Sequence, residues 1–593
     1  MAKRRFDLAV FRNVHGISLF KGEGENTAFC HNLNAEAVPV EMRSFTDYEA
    51  PAGLAIVTAL VSHAVYNRRE PTVASFFRNL VVLVALYAVL TTRIPQGPLT
   101  VRSSTALFAG LYLAALSLSI TVYRLFLHPL RRFPGPTLGK LTRWTSAYYM
   151  ATGRMHEWLP AMHAKYGDIV RFGPNELSFG DTGSVKYLHG PQGARLTKGP
   201  FYDANTFNNS GHGVPLPSTR DWENHRIRRR IWDHGFAQKA LRTYEPRIRS
   251  LIDTFCTELE KHDGEVVDFA KWADYFAFDA MGDLVFNKTV GLLNEDGPRE
   301  FSDWVRTGVM VNAIFAQVPW ISSYFTLTPF RRDLIHKALS FGRLASDFYK
   351  QRREFGTSPV DIFSHIIAGN DKEIISSEED LEADSPTLFI AGSDTSAVVI
   401  TFMFYYICKD KATYRRLREE IDQHWDGVKP LEGSSLGPET LPFLNMCIQE
   451  VLRVMPPGPN GMQRYTNKGG HMVNGIFIPE NTAVSSNTLS LHHDPRYWTN
   501  PTEFIPDRWD EKKRDPTWNH DTRAYIPFSS GTFSCAGRPL AMLEQRLLIT
   551  TLLRRFDLIM APDFDHKRFA DDIRSYMTIV KGALPLTVQK RKD

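Results

Sequence analysis

Between Ala106 and Tyr123 the chain carries no charged residue. A helix needs about 20 mostly apolar residues to cross a bilayer, and residues 104–127 supply them, so a membrane span is predicted here. Two weaker apolar segments precede it. Residues 73–90 are marginal in length and contain Arg78, and residues 52–66 are short and hold Ser62 and His63. Each reads as a span or as an interfacial or buried helix. Arg124, Arg131 and Arg132 follow the third segment and favour the cytosol for what comes next. If all three segments cross, Arg68 and Arg69 fall on that side too, and Arg93, Arg102 and the chain start are luminal. The basic start Met1–Arg5 opposes this. Residues 1–41 therefore read as an optional extension ahead of Met42, or as an ordinary disordered tail.

The expected organisation is a tail over 1–50, membrane segments over 51–127, a stiff proline-rich hinge over 128–136 (HPLRRFPGP) and one large body over 137–593. Proline fixes φ and lacks a backbone donor, so helix cannot continue through that hinge. No low-complexity linker or internal repeat interrupts the body. A composition of 43% hydrophobic and 23% charged residues excludes a disordered chain, and a net charge of +5 is too small for a nucleic-acid binder. The cysteines, Cys30, Cys256, Cys408, Cys447 and Cys535, are odd in number and scattered. A disulfide framework is therefore not expected, the body belongs in a reducing compartment, and one thiol is free for chemistry.

Apolar spacing predicts helices over 222–242, 246–262, 272–286, 332–353, 379–409, 414–425 and 441–455. Short strands are expected over 169–172, 176–179, 475–478, 483–487 and 584–589. The fold class is mostly α with small peripheral β-sheets.

Cys535 lies in a glycine-rich turn, after Phe528 and Gly531 and before Gly537, with a helix pattern following at once. A cysteine before a helix N-terminus has its thiolate stabilised by free N–H groups and the dipole. The glycines let backbone approach something flat and large, and Phe528 shields one side. These residues alone leave two readings open, an axial metal ligand or a structural thiol in a turn. Four other sites have bland readings of their own. Gly392, Asp394 and Thr395 lie inside a predicted helix, where glycine costs about 1 kcal/mol and so asks for a reason. Glu450 and Arg453 are an i, i+3 pair of a kind common on surfaces. Trp222 and Arg226 are an i, i+4 pair that can reach one ligand edge, and Arg464 alone is a solvated charge.

The pattern F-x-x-G-x-x-x-C-x-G, carried by Phe528, Gly531, Cys535 and Gly537, resembles the haem-binding loop of the cytochrome P450 family. The other motifs follow in the same order over roughly 120–590. The resemblance implies the cytochrome P450 fold and haem b with Cys535 as axial iron ligand. It implies an oxygen pocket lined by Gly392, Asp394 and Thr395, the last two relaying protons. It implies a buried Glu450–Arg453–Arg508 network behind the haem, and haem propionate contacts from Trp222, Arg226 and Arg464. Two positions depart from the family pattern. Phe533 stands where arginine is usual, so one propionate contact is missing or replaced, and Pro386 is expected to kink or loosen the oxygen-pocket helix.

The implied activity is a monooxygenase reaction, hydroxylation or epoxidation of an apolar small molecule with dioxygen. Electrons would come from NADPH through a cytochrome P450 reductase, with cytochrome b5 as a further donor. Arg228 and Arg229 read either as a docking patch for that acidic partner or as plain solubility. By the same resemblance, walls over 201–217, before Ala391, and over 457–462 and 577–582 suit a terpenoid, alkaloid or polyketide. Tyr123–Leu130, Phe133-Pro-Gly-Pro and residues 166–179 resemble microsomal fungal members of secondary metabolism. The N-terminal segments are most similar to tryprostatin-type hydroxylases. Desaturation, ring coupling or rearrangement at the same site is a second reading, and a non-catalytic haem-binding membrane protein a third. The implied location is the endoplasmic reticulum membrane with a cytosolic body, in which the sequons at Asn208 and Asn287 stay unmodified.

Overall fold

Charge-free sequence after Thr105 has no reason to leave the helical state, and a helix forms there. Two helices, α1 (Glu49–Tyr66) and α2 (Pro98–Val122), lie side by side, and α2 continues through a single π turn at Tyr123–Leu127. The computed structural model describes residues 49–67, scattered positions from 75 to 87, and 98–591 except 194–195, 207–212, 322–331, 359, 374–375 and 426–431. The tail, Met42, Asn208 and half of segment 73–90 lie outside the described residues. Near the end of α1, His63 pairs with Ser119 at 2.7 Å and packs edge-on against Tyr123. The two helices therefore run in the same direction. Thr105–Leu127 is long and apolar enough to cross a membrane and is almost entirely unburied.

The stretch after α2 is gripped by the first sheet. Arg171, fully buried, donates from Nη1 to the Arg124 carbonyl at 2.9 Å, and from Nε and Nη2 to the Pro174 carbonyl at 3.1 and 2.9 Å. Arg124 in turn donates to the Leu141 carbonyl, and His128 Nε2 donates to Asn175 Oδ1 at 2.8 Å. The strands are β1 (Ile169–Gly173), β2 (Glu176–Phe179), β3 (Arg464–Tyr465) and β4 (Ala483–Ser486), in the order β1-β2-β4-β3. The β2–β4 pair is parallel and the other two are antiparallel. A three-stranded sheet of Val266–Asp268, Pro585–Lys590 and Phe556–Met560 and two small ribbons complete the β structure.

Helices make up the rest. The predicted helix over 222–242 is two, α3 (Trp222–Gly235) and α4 (Gln238–Glu260), and α4 absorbs the next predicted helix with Pro246 inside it. Further helices are α5 (Phe269–Phe286), α6 (Glu378–Lys409), α7 (Pro442–Val454) and α8 (Arg538–Arg555). Although apolar enough to span a membrane, α6 is mostly buried, and it is the central core helix. Phe389 of α6 stacks on Phe278 of α5 with ring centroids 5.6 Å apart.

Pro386 lies inside α6, which continues through it. The carbonyl it leaves without a partner is that of Glu382, and the Ser385 hydroxyl donates to it at 2.9 Å. A local hydroxyl thus replaces the missing N–H, and the helix runs on to Lys409.

Candidate functional site

The loop before α8 is built around Cys535. Its N–H donates to the Phe528 carbonyl at 2.9 Å, and Ser534 N–H donates to Gly531 O at 3.0 Å. Gly531 has φ +68°, and a Cβ there would sit 1.6 Å from the His189 carbonyl oxygen. Only glycine fits both the conformation and the approach. The Cys535 thiol opens onto a cavity that is deep in the body. Burial pushes the thiol up, while the N–H groups of Gly537 and Arg538 and the charge of Arg229 draw it down.

Part of the cavity wall comes from α6. Ala391, Gly392, Thr395 and Ser396 line the same cavity as Cys535, Phe528 and Gly537. Thr395 Oγ1 donates to Ala391 O at 2.7 Å. A Cβ on Gly392 would lie 2.4 Å from Met281 Sδ, so glycine here lets α5 close on α6. Asp394 does not line the cavity. It points behind it, accepts the Thr578 hydroxyl, and faces Lys581, Arg306 and Asp274. Asp274 itself binds both Lys581 and Arg306. Burial pushes the Asp394 carboxyl up, and Lys581 is the chief charge holding it down.

Glu450, Arg453 and Arg508 meet with their side chains fully buried. Glu450 Oε1 takes Arg508 Nε at 2.8 Å and the Ile505 N–H at 2.9 Å, and Oε2 takes Arg453 Nε at 2.9 Å and Trp509 Nε1 at 3.0 Å. Arg453 also donates to the carbonyls of His492, Pro501 and Glu503, and Arg508 to those of Thr499 and Asn500. Both Glu450 oxygens are engaged and the two arginines donate to five backbone carbonyls, which makes a buried ion cluster tolerable.

One edge of the cavity is basic, but its residues differ from those expected on α3. Arg226 is exposed and pairs with Glu223, and neither it nor Trp222 lines the cavity. His225 and Arg229 do, together with Lys198 and Arg464. The i, i+4 spacing was sound but its phase was not. Trp232 and Phe236 are inward on the same face as His225 and Arg229, and that apolar phase is the signal that fixes the register. Arg229 Nη1 donates to the Ser534 carbonyl, beside Cys535. Arg228 is no docking residue. It is 2% exposed and held by Asp384 at 2.8 Å and the Val214 carbonyl at 2.9 Å.

The family model for cytochrome P450 matches residues 133–584. The chain belongs to the cytochrome P450 family. It is 33% identical over 486 residues to cytochrome P450 monooxygenase orf5 of Eupenicillium brefeldianum, covering 81% of this chain and 95% of that one. It is 29% identical over 565 residues to cytochrome P450 monooxygenase FCK2 of Fusarium pseudograminearum, covering 93% and 100%. Against cytochrome P450 monooxygenase sthD of Phaeosphaeria nodorum it is 33% identical over 494 residues, covering 81% and 99%. The protein is thus a cytochrome P450 monooxygenase, and the family implies a haem-thiolate cofactor.

The cavity of this cytochrome P450 fits that cofactor. The thiol meets it from one wall, and Leu388, Ala391, Leu540 and Ala541 give it apolar faces. Beside Gly537 there is room for a flat group, since a Cβ would find nothing nearer than Phe236 at 3.8 Å. At the basic edge Arg464 Nε and His225 Nδ1 are buried without a partner, as donors awaiting an anion would be. Sequence reading missed Glu544. This fully buried side chain lines the cavity from α8 and accepts the Ser396 hydroxyl at 3.1 Å, with Oε1 unpartnered. Burial pushes its carboxyl up to about 8. Its only sequence signal is that it is the one acidic residue in α8.

Proposed function

We propose that this chain is a membrane-anchored monooxygenase that hydroxylates or epoxidises an apolar small molecule of fungal secondary metabolism. The observation that carries this reading is that Cys535 and Thr395 line one mainly apolar cavity. Haem b, when bound, supplies dioxygen activation, with a thiolate ligand favouring O–O cleavage; that account of the ligand is the general one for this family. Cys535 provides the thiolate, and His225, Arg229 and Arg464 hold the cofactor's carboxylates. Thr395 presents its hydroxyl to the cavity. Asp394, fastened by Thr578 and attracted by the Lys581 charge, carries protons from behind α6 toward it. Glu450, Arg453 and Arg508 keep the loop behind the cofactor in shape.

Pro217, Met281 and Met462 also line the cavity and suit an apolar substrate. Electrons come from an NADPH-dependent reductase, with cytochrome b5 as a second donor. The span at Thr105–Leu127 holds the body on the cytosolic face of the endoplasmic reticulum. Asn287, exposed at the end of α5, then stays unglycosylated.

The deciding test is a reduced, carbon-monoxide difference spectrum on membranes bearing the chain. A strongly red-shifted Soret band reports haem with bound thiolate. Absence of a haem signal from folded protein defeats the reading. Turnover under labelled dioxygen then checks the reaction, since an unlabelled product rules out hydroxylation.

A further inference from the structure

Phe533 replaces the arginine usual in the family's haem loop, and the structure shows what surrounds the replacement. Arg464 Cζ lies 4.5 Å from the centre of its ring and Lys198 Nζ 4.8 Å, and the His225 ring stands 4.5 Å away, tilted by 54°. Lys198, Arg464 and His225 are all buried, at 4%, 2% and 4% exposure. Among the described residues no carboxylate forms an ion pair with Lys198 or Arg464. Lys198 Nζ donates to the Leu216 carbonyl at 3.2 Å, and Arg464 Nη1 to Tyr202 Oη and the Gln463 carbonyl. Burial and the neighbouring arginines hold the Lys198 ammonium well below its ordinary range.

Buried cations without anions are costly. An aromatic face offsets part of that cost by attracting them without adding charge. Arginine at 533 would add a further cation to a group that already lacks its counter-charge. The gathering is therefore suited to an anionic ligand that arrives later, and the loop residue closest to it is neutral.

We propose that Lys198 and Phe533 together replace the missing loop arginine: Lys198 brings the cation for a cofactor carboxylate, and the Phe533 ring holds Lys198 and Arg464 ready for it. This rests on the haem reading above.

The test compares wild type, Lys198→Met, Phe533→Arg and the double variant, each purified with haem. The readout is the rate of haem transfer to excess apomyoglobin, with melting followed by circular dichroism. Removing an outer partner of a metal centre commonly weakens holding by about 10-fold or more. Lys198→Met and Phe533→Arg are each expected to release haem about that much faster, although Phe533→Arg restores the usual residue. The double variant is expected to hold haem better than either single variant, because the new arginine then takes the vacated place. Phe533→Leu keeps an apolar side chain without the ring face, and is expected to release haem faster than wild type with unchanged circular dichroism. Wild-type release from Lys198→Met, or a double variant at the product of the single effects, overturns the proposal. Haem-free wild type overturns the functional reading itself, a distinct outcome.

Discussion

His492 holds the Ile526 backbone: its Nε2 accepts the Ile526 N–H at 3.0 Å, while Nδ1 donates to the Arg453 carbonyl at 2.9 Å. One imidazole thus joins the Glu450 cluster to the loop that leads into Phe528 and Cys535. The neutral ring with hydrogen on Nδ1 is the only form that makes both bonds. Burial, reinforced by the Arg453 charge, pushes its pKa down to about 3. The unfolded chain takes up this proton near the ordinary value of 6.5 while the folded one does not. Stability from His492 is therefore present above 6.5 and is lost as pH falls toward 3. Melting of wild type against His492→Gln should show an advantage above pH 6.5 that shrinks with acid; a constant gap would refute it.

The basic edge predicts unequal arginines. Arg226→Ala should leave haem release unchanged, whereas Arg229→Ala should accelerate it. Arg228→Ala should destabilise the fold by about 3–5 kcal/mol, because it leaves Asp384 buried without its partner. Denaturant melts and haem-transfer rates separate these outcomes.

Thr395 and Asp394 should fail together in turnover. Asp394→Asn is expected to slow product formation by about 100-fold, the scale of a lost acid–base group. Thr578→Val should give a smaller loss in the same direction, since Thr578 acts by holding Asp394. Product and peroxide are measured per NADPH consumed. Full coupling in Asp394→Asn would exclude the relay.

Glu544 gives a pH dependence of opposite sign to His492. Its folded pKa of about 8 exceeds the ordinary 4.5, so the folded chain keeps a proton that the unfolded chain releases. Its contribution is present below pH 4.5 and is lost as pH rises to about 8. Glu544→Gln stays uncharged at every pH, so it should gain stability on wild type across that window in thermal melts.

Much of this was legible beforehand. The Cys535 loop, the helix bearing Thr395 and the Glu450–Arg453 pair depend on local rules: turn glycines, apolar period and i, i+3 spacing; Arg508, 58 residues from Glu450, was placed beside them by the family resemblance alone. The strands over 169–172 and 176–179 were readable too, and the structure pairs them antiparallel. Less legible was whatever depends on contacts distant in sequence. Nothing local says that Asp394 meets Thr578, that Lys198 meets Phe533, or that Ser385 repairs the gap left by Pro386. The helices Glu300–Gln317 and Ile362–Glu373 also escaped notice. The phase of α3 was recoverable from Trp232 and Phe236, and choosing Trp222 instead misplaced two residues.

The grip of Arg171 on the Arg124 carbonyl makes the anchor and the enzyme a single rotor. A body on a slack tether would sample every tilt and present its entrance to water or lipid at random. Here the first sheet holds the root of the membrane helix, so the body turns only as the helix turns. Under the membrane anchoring proposed above, the body then keeps one bearing relative to the bilayer plane, and reactants dissolved in lipid or brought by a reductase reach it at fixed angles. Loosening that single guanidinium would leave the chemistry intact and blur the geometry of supply.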